Sequence, residues 1–83
     1  MKFVAQISVM PLKEILDPQG KAVMQGLKNM GINHISDVRV GKHLTIQIDA
    51  ENKQIAHNEI DMSCQKLLCN PIMEYYTFTI EVV

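Results

Sequence analysis

The stretch Lys2–Gly31, KFVAQISVMPLKEILDPQGKAVMQGLKNMG, holds two periodicities and the boundary between them. From Lys2 to Met10 the period is two: Phe3, Ala5, Ile7 and Val9 alternate with Val4, Gln6, Ser8 and Met10, which predicts a strand. Pro11 brings no N–H to a ladder and closes it. An irregular connection follows, Pro11–Leu16, in which Leu12, Ile15 and Leu16 are apolar enough to cover part of a core. Asp17-Pro18 then reads as a helix start. The Asp17 side chain can accept from a free first-turn N–H, and Pro18 suits the first helical position. Beyond it the period changes: Val23, Leu27 and Met30 recur at i, i+4, i+7, with Met24 widening the stripe. Gly31, free to adopt positive φ, ends the helix.

The same two periods repeat downstream. A short strand is predicted over Ile35–Val40, then a two-residue hairpin turn at Gly41-Lys42, with glycine first. A third strand, His43–Asp49, sets Leu44, Ile46 and Ile48 against Thr45, Gln47 and Asp49. A second helix is predicted from Asn52 to Leu68, with Ala56, Ile60, Cys64 and Leu67 as its apolar stripe. Asn70-Pro71 stops it: Asn tolerates the left-handed position and Pro cannot continue the helix. The last strand, Glu74–Val83, alternates Tyr76, Phe78, Ile80 and Val82 with Tyr75, Thr77, Thr79 and Glu81. The expected order is therefore β-α-β-β-α-β, a single α+β domain over residues 1–83 of ferredoxin-like plan. Its four-stranded antiparallel sheet would take the order 4-1-3-2, with two helices on one face.

Composition bounds what such a chain does. Its 83 residues are 47% hydrophobic and carry 8 Lys+Arg against 9 Asp+Glu. That excludes a disordered chain and argues against nucleic acid, which calls for a basic face. No stretch approaches the roughly 20 apolar residues of a membrane span, and Phe3–Met10 lacks a cleavage site, so a cytoplasmic chain is expected. Cys64 and Cys69 lie five apart, a spacing that does not pair them on an α-helix, and two buried free thiols are expected. His34, His43 and His57 are scattered, which predicts no metal site. The connection after the first strand has neither the glycine-rich phosphate cradle of an acylphosphatase nor a C-x-x-C. The third strand has no aromatic for base stacking, and Ser8, Ser36 and Ser63 have no supporting base. No catalytic residue, cofactor or metal is therefore assigned.

Two features invite a partner. Asp37, Arg39, Lys42 and His43 gather at the expected hairpin, either as a solvated turn or as a docking patch. A sheet covered on one face only leaves apolar atoms bare on the other, which favours a homodimer or a higher homo-oligomer.

Leu16-Asp17-Pro18-Gln19-Gly20-Lys21-Ala22-Val23, then Gly31, then Val38-Arg39-Val40-Gly41-Lys42, then Leu67-Leu68-Cys69-Asn70-Pro71-Ile72 and Glu74 together resemble the PurS family. These are small subunits of the bacterial phosphoribosylformylglycinamidine (FGAM) synthase complex of purine biosynthesis. The resemblance covers essentially the whole chain. It implies a non-catalytic subunit that joins a glutaminase, PurQ, to an ATP-dependent synthetase, PurL, and helps ammonia pass between them. ATP and Mg would be used by the complex and bound by neither face of this chain. Asp17, Pro18, Gly20, Gly31, Gly41, Asn70 and Pro71 then read as structural marks. Gln19, Arg39 and Lys42, which no folding rule demands, are the candidates for partner contact. Pro11–Ile15 and Tyr75 depart from the family pattern. The competing reading is a stand-alone ferredoxin-like regulatory module that binds a small ligand at a dimer interface.

Overall fold

A computed structural model describes all 83 residues, Met1–Val83. It is an α+β chain with strand β1 (Lys2–Pro11), helix α1 (Pro18–Asn29), strand β2 (Lys42–Asp49), helix α2 (Lys53–Ser63) and strand β3 (Glu74–Val82). A single π turn, Cys64–Leu68, prolongs α2. The three strands form one antiparallel sheet in the order β2-β1-β3, with Ala5 set between Ile46 and Ile80. This is what remains of the expected 4-1-3-2 order once the second expected strand is removed.

Period two in β1 does what it predicts. Phe3, Ala5, Ile7 and Val9 are all buried, at 1% exposure or less. They form the core with Ile80 from β3, with Ala56 and Ile60 from α2, and with Cys64 and Cys69 at the two ends of the π turn. The Asn52 side chain caps α2 by accepting from Ile55 N–H at 2.9 Å. His57 lies over Phe78, ring centroids 4.9 Å apart, and the Tyr76 hydroxyl donates to Asp61 Oδ1 at 2.6 Å. These contacts seat α2 over β1 and β3. Leu44, Ile46 and Ile48 of β2 are only half-buried, because no second helix lies above them.

The second helix corrects the sequence reading at its end. A continuous α-helix would bury Leu67, yet Leu67 is 82% exposed while Leu68 is half-buried and Cys69 is buried at 7%. The Cys69 N–H donates to Cys64 C=O at 3.0 Å, an i→i+5 bond. Such a turn holds more residues than an α turn, so the inward stripe passes from Leu67 to Leu68 and Cys69. The same turn brings Cys64 and Cys69 to one buried side as free thiols. Asn70 is also corrected: no residue other than glycine has positive φ. Asn70 closes a turn with its side chain, which accepts from Ile72 N–H, and with its carbonyl, which accepts from Glu74 N–H. Pro71 opens that turn.

The largest departure lies between α1 and β2. Residues 32–41 form no strand and no hairpin, and β2 begins at Lys42. Gly41 does not turn; its φ is not positive, and a Cβ there would collide with the Val9 carbonyl oxygen and the Met10 sulfur of β1. The pattern explains why. A two-residue turn at Gly41-Lys42 sets Val40 opposite His43 and Val38 opposite Thr45, pairing valines with the polar set of β2. Run through without a turn, the alternation Val38, Val40, Lys42, Leu44, Ile46, Ile48 keeps its period.

Helix α1 correspondingly stands off the sheet: only Gly20 of its twelve residues is buried, and it makes no extensive packing against another element. The expectation of two helices over one face is therefore corrected to one. The molecule is long, 51 × 27 × 14 Å, with a radius of gyration of 16.4 Å. A compact chain of this length would show about 12 Å.

Candidate functional site

The polar side chains with the most partners converge where α1 leaves the sheet. Asp17, 9% exposed, caps α1 as predicted: its Oδ1 accepts from Gly20 N–H at 3.0 Å. Its second oxygen accepts from Val40 N–H at 2.8 Å, across 23 residues of chain. One carboxylate thus ties the start of α1 to the segment that leads into β2. Those two bonds, with the nearby Arg39 charge, hold the Asp17 carboxyl below the ordinary carboxylate range. Gly20 permits the approach, since a Cβ there would strike the Val38 carbonyl. Pro18 occupies the first helical turn.

Arg39 closes the clasp from the other side. Its guanidinium donates to the carbonyls of Leu12 and Ile15, while its Nε lies 4.0 Å from Asp17 Oδ2 without a hydrogen bond. The residue chosen as a partner contact is thus half-buried and holds the β1–α1 connection inside its own chain. Sequence reasoning missed this role. Leu12 and Ile15 sit in an irregular segment whose carbonyls need donors, and an Arg followed by a broken strand pattern was the available signal.

The other candidates are placed apart. Gln19 is exposed on the first turn of α1, and Lys42 is exposed at the start of β2. Asp37 lies exposed on the segment 32–41, and His43 faces the bare side of the sheet. There His43 Nε2 and the Thr45 hydroxyl share Gln6 Oε1, at 2.7 and 2.9 Å. The bare face carries Gln6, Ser8, His43, Thr45, Thr77 and Thr79, with the half-buried Val4 and Met10 and the exposed Tyr75 leaving apolar atoms among them. Gly31 ends α1 at φ +89°, with Gly31 N–H donating to Lys28 C=O and Ile32 N–H to Leu27 C=O.

Burial pushes both Cys64 and Cys69 up, so the thiols stay protonated at neutral pH and are poor nucleophiles. The hydrogen bond to Asp61, and then burial, push Tyr76 up. No group of three His, Cys, Asp or Glu side chains is gathered as a metal site would need, and no helix is long and apolar enough to cross a membrane. A cleft of about 240 Å³ between Pro11, Leu16, Asp17, Asn70 and Glu74 is open and lined in part by two carboxylates.

A small α+β sheet whose charged residues hold its own arm in place, and whose helix and strand edge stand free, defines a subunit built for assembly. The chain matches the PurS family, phosphoribosylformylglycinamidine (FGAM) synthase, over residues 4–82, and it belongs to that family. It is 40% identical over 73 residues to the FGAM synthase subunit PurS of Bacillus subtilis, covering 87% of this chain and 86% of the relative. With the PurS of Synechocystis it shares 38% identity over 66 residues, 80% of this chain and 66% of that one. Among solved structures, Thermus thermophilus PurS superposes with a TM-score of 0.90 at 37% identity, covering 100% of this chain and 99% of that one. A chain of the PurLQS structure from Thermotoga maritima superposes at 0.89 with 27% identity, covering 98% and 99%.

Proposed function

We propose that the chain is the non-catalytic PurS subunit of FGAM synthase, joining the synthetase PurL to the glutaminase PurQ. The observation that carries this reading is the whole-chain likeness to a chain of the PurLQS assembly. On this reading the chemistry belongs to the larger subunits: glutamine supplies ammonia, and ATP with Mg activates the formyl amide oxygen that ammonia displaces. Free ammonia is mostly protonated near neutral pH, and ammonium is no nucleophile. A sheltered passage between the two sites keeps it neutral and away from water. A small rigid subunit in the cytoplasm serves that passage by holding the larger subunits in register.

We place the partner-facing surface on α1, from Gln19 onward, with Lys42 beside its base. Val23 and Met30 are exposed at 45% and 74% on a helix that is held to its own chain at its first turn and makes no extensive packing beyond it. Such a helix is available for helix-in-groove docking. We further propose that the chain works as a homodimer or larger.

The test is reconstitution with PurL and PurQ. Gln19→Ala with Lys42→Ala should leave the isolated subunit folded and lower glutamine-dependent FGAM synthesis more than synthesis driven by added ammonia. Equal rates in both assays would remove these residues from the contact. A complex that forms and works without this chain would remove the subunit reading itself.

A further inference from the structure

We propose that Cys64 and Cys69 form a reversible intrachain disulfide when the chain meets a hydroperoxide, Cys69 being oxidised first and Cys64 resolving it. The inference is independent of the subunit reading and concerns the one pair of thiols the chain carries.

The first observation is the π turn. Five residues apart on a regular α-helix, the two side chains would leave the axis about 140° apart and would not meet. Here Cys69 N–H donates to Cys64 C=O at 3.0 Å, so the turn closes one residue later than an α turn. A backbone bond of that length leaves the two Cα atoms about 6 Å apart, inside the range of roughly 4.4–6.8 Å that disulfides span. Both side chains lie in one core cluster. They are near enough that a negative charge on Cys69 opposes ionisation of Cys64.

The second observation is the freedom of one partner. Two Cβ atoms held in helical geometry tilt the same way along the axis, which keeps them too far apart for a disulfide. Cys64 has that geometry, at φ −62° and ψ −45°. Cys69 has left it, at φ −128° and ψ 135°, so its Cβ is released from the helical direction.

The third observation assigns the roles. Cys64 is sealed at 0% exposure, whereas Cys69, at 7%, ends the helix and is followed by the exposed Asn70. Helix ends open locally far more readily than helix middles, so Cys69 reaches solvent first. While the turn is closed, burial keeps both thiols protonated and inert. Once it opens, the Cys69 sulfur attacks one oxygen of hydrogen peroxide. The O–O bond breaks, the sulfur is oxidised to the sulfenic acid, and the other oxygen leaves as water with the thiol proton. The Cys64 sulfur then attacks the sulfenic sulfur. An S–S bond forms, the S–O bond breaks, and the hydroxyl leaves as a second water with the Cys64 proton. Two thiols and one peroxide thus give one disulfide and two waters. A resolving thiol in the same turn acts at an effective concentration that a thiol of another chain does not match. A small dithiol reverses the bond by exchange.

The test treats the folded wild-type chain with hydrogen peroxide, blocks free thiols by alkylation and maps the peptides by mass spectrometry without reduction. The expected product is a chain about 2 Da lighter, linked between residues 64 and 69 and restored by dithiothreitol. Its rate of formation should change by less than about twofold across urea concentrations below the unfolding transition, since a local opening exposes little surface. With dimedone present, Cys64→Ser should be labelled at Cys69, and Cys69→Ser should stay unlabelled at Cys64. Two free thiols after treatment, or Cys69 driven to sulfinic acid beside a free Cys64, would overturn the disulfide. A rate that climbs steeply with urea would place the reaction in the unfolded chain and overturn the role of the π turn. Dimedone on Cys64 in the folded Cys69→Ser chain would overturn the order of the two steps.

Discussion

Asp17 was legible as a helix cap from Asp-Pro alone, and half of its role was not. Local capping needs only four residues of context, so sequence reveals it. The bond from Val40 N–H spans 23 residues and depends on a chain path that no local pattern encodes. Arg39 was hidden for the same reason: its acceptors are the carbonyls of Leu12 and Ile15, which lie in a segment with no periodicity. The depressed Asp17 titration makes the clasp sensitive to pH. A carboxyl held below its unfolded value stabilises the folded chain when ionised, fully so above the ordinary value of roughly 3.9. That contribution is lost as the pH falls through the folded value. Wild type should therefore lose more stability in acid than Asp17→Asn, whose denaturation midpoint is lower at neutral pH but flatter below pH 4. Urea melts at neutral and acid pH compare the two directly, and parallel profiles would show that the carboxylate charge has no part in the clasp.

Strands β1 and β3 and the body of α2 followed from hydrophobic period because each buries one face against the others. Where a face has nothing to bury against, the period lost its force. The expected strand 35–40 and the packing of α1 failed on that account. At the end of α2 the failure was of another kind: a single π turn adds a residue, and a 3.6-residue template then points the wrong side chain inward. Leu67 and Ile60 offer a contrast that checks this. Ile60 is 2% exposed in the core, and Ile60→Ala should cost about 2–5 kcal/mol. Leu67→Ser, on a site 82% exposed, should shift the isolated chain by less than about 0.5 kcal/mol. Denaturant titration of both variants distinguishes the π turn from a regular helix, in which Leu67→Ser would be costly.

At the scale of the whole molecule, a chain this short buries little. Nine side chains make the core, and a helix and an arm stand outside it. Small chains with so little interior depend on association for part of their stability. The thermal midpoint should therefore rise with protein concentration across the micromolar range, as it does when folding and association are linked. Scanning calorimetry at several concentrations reads this, and a midpoint independent of concentration would mean that the single chain carries its stability alone.

The clasp at Asp17 also has a mechanical side. Helix α1 is about 18 Å long at 1.5 Å per residue, capped at both ends and fixed to the sheet only at its base. It is a lever with its fulcrum at Asp17. A tilt of about 10° there moves the tip at Gly31 by about 3 Å, which is close to the 3.3 Å that separates successive residues of a strand. Residues 32–41 begin at that tip, so a small angular error at the fulcrum becomes a slip of a whole residue further on. Two carboxylate bonds, one guanidinium and a glycine with no room for a methyl group thus set the aim of everything beyond them.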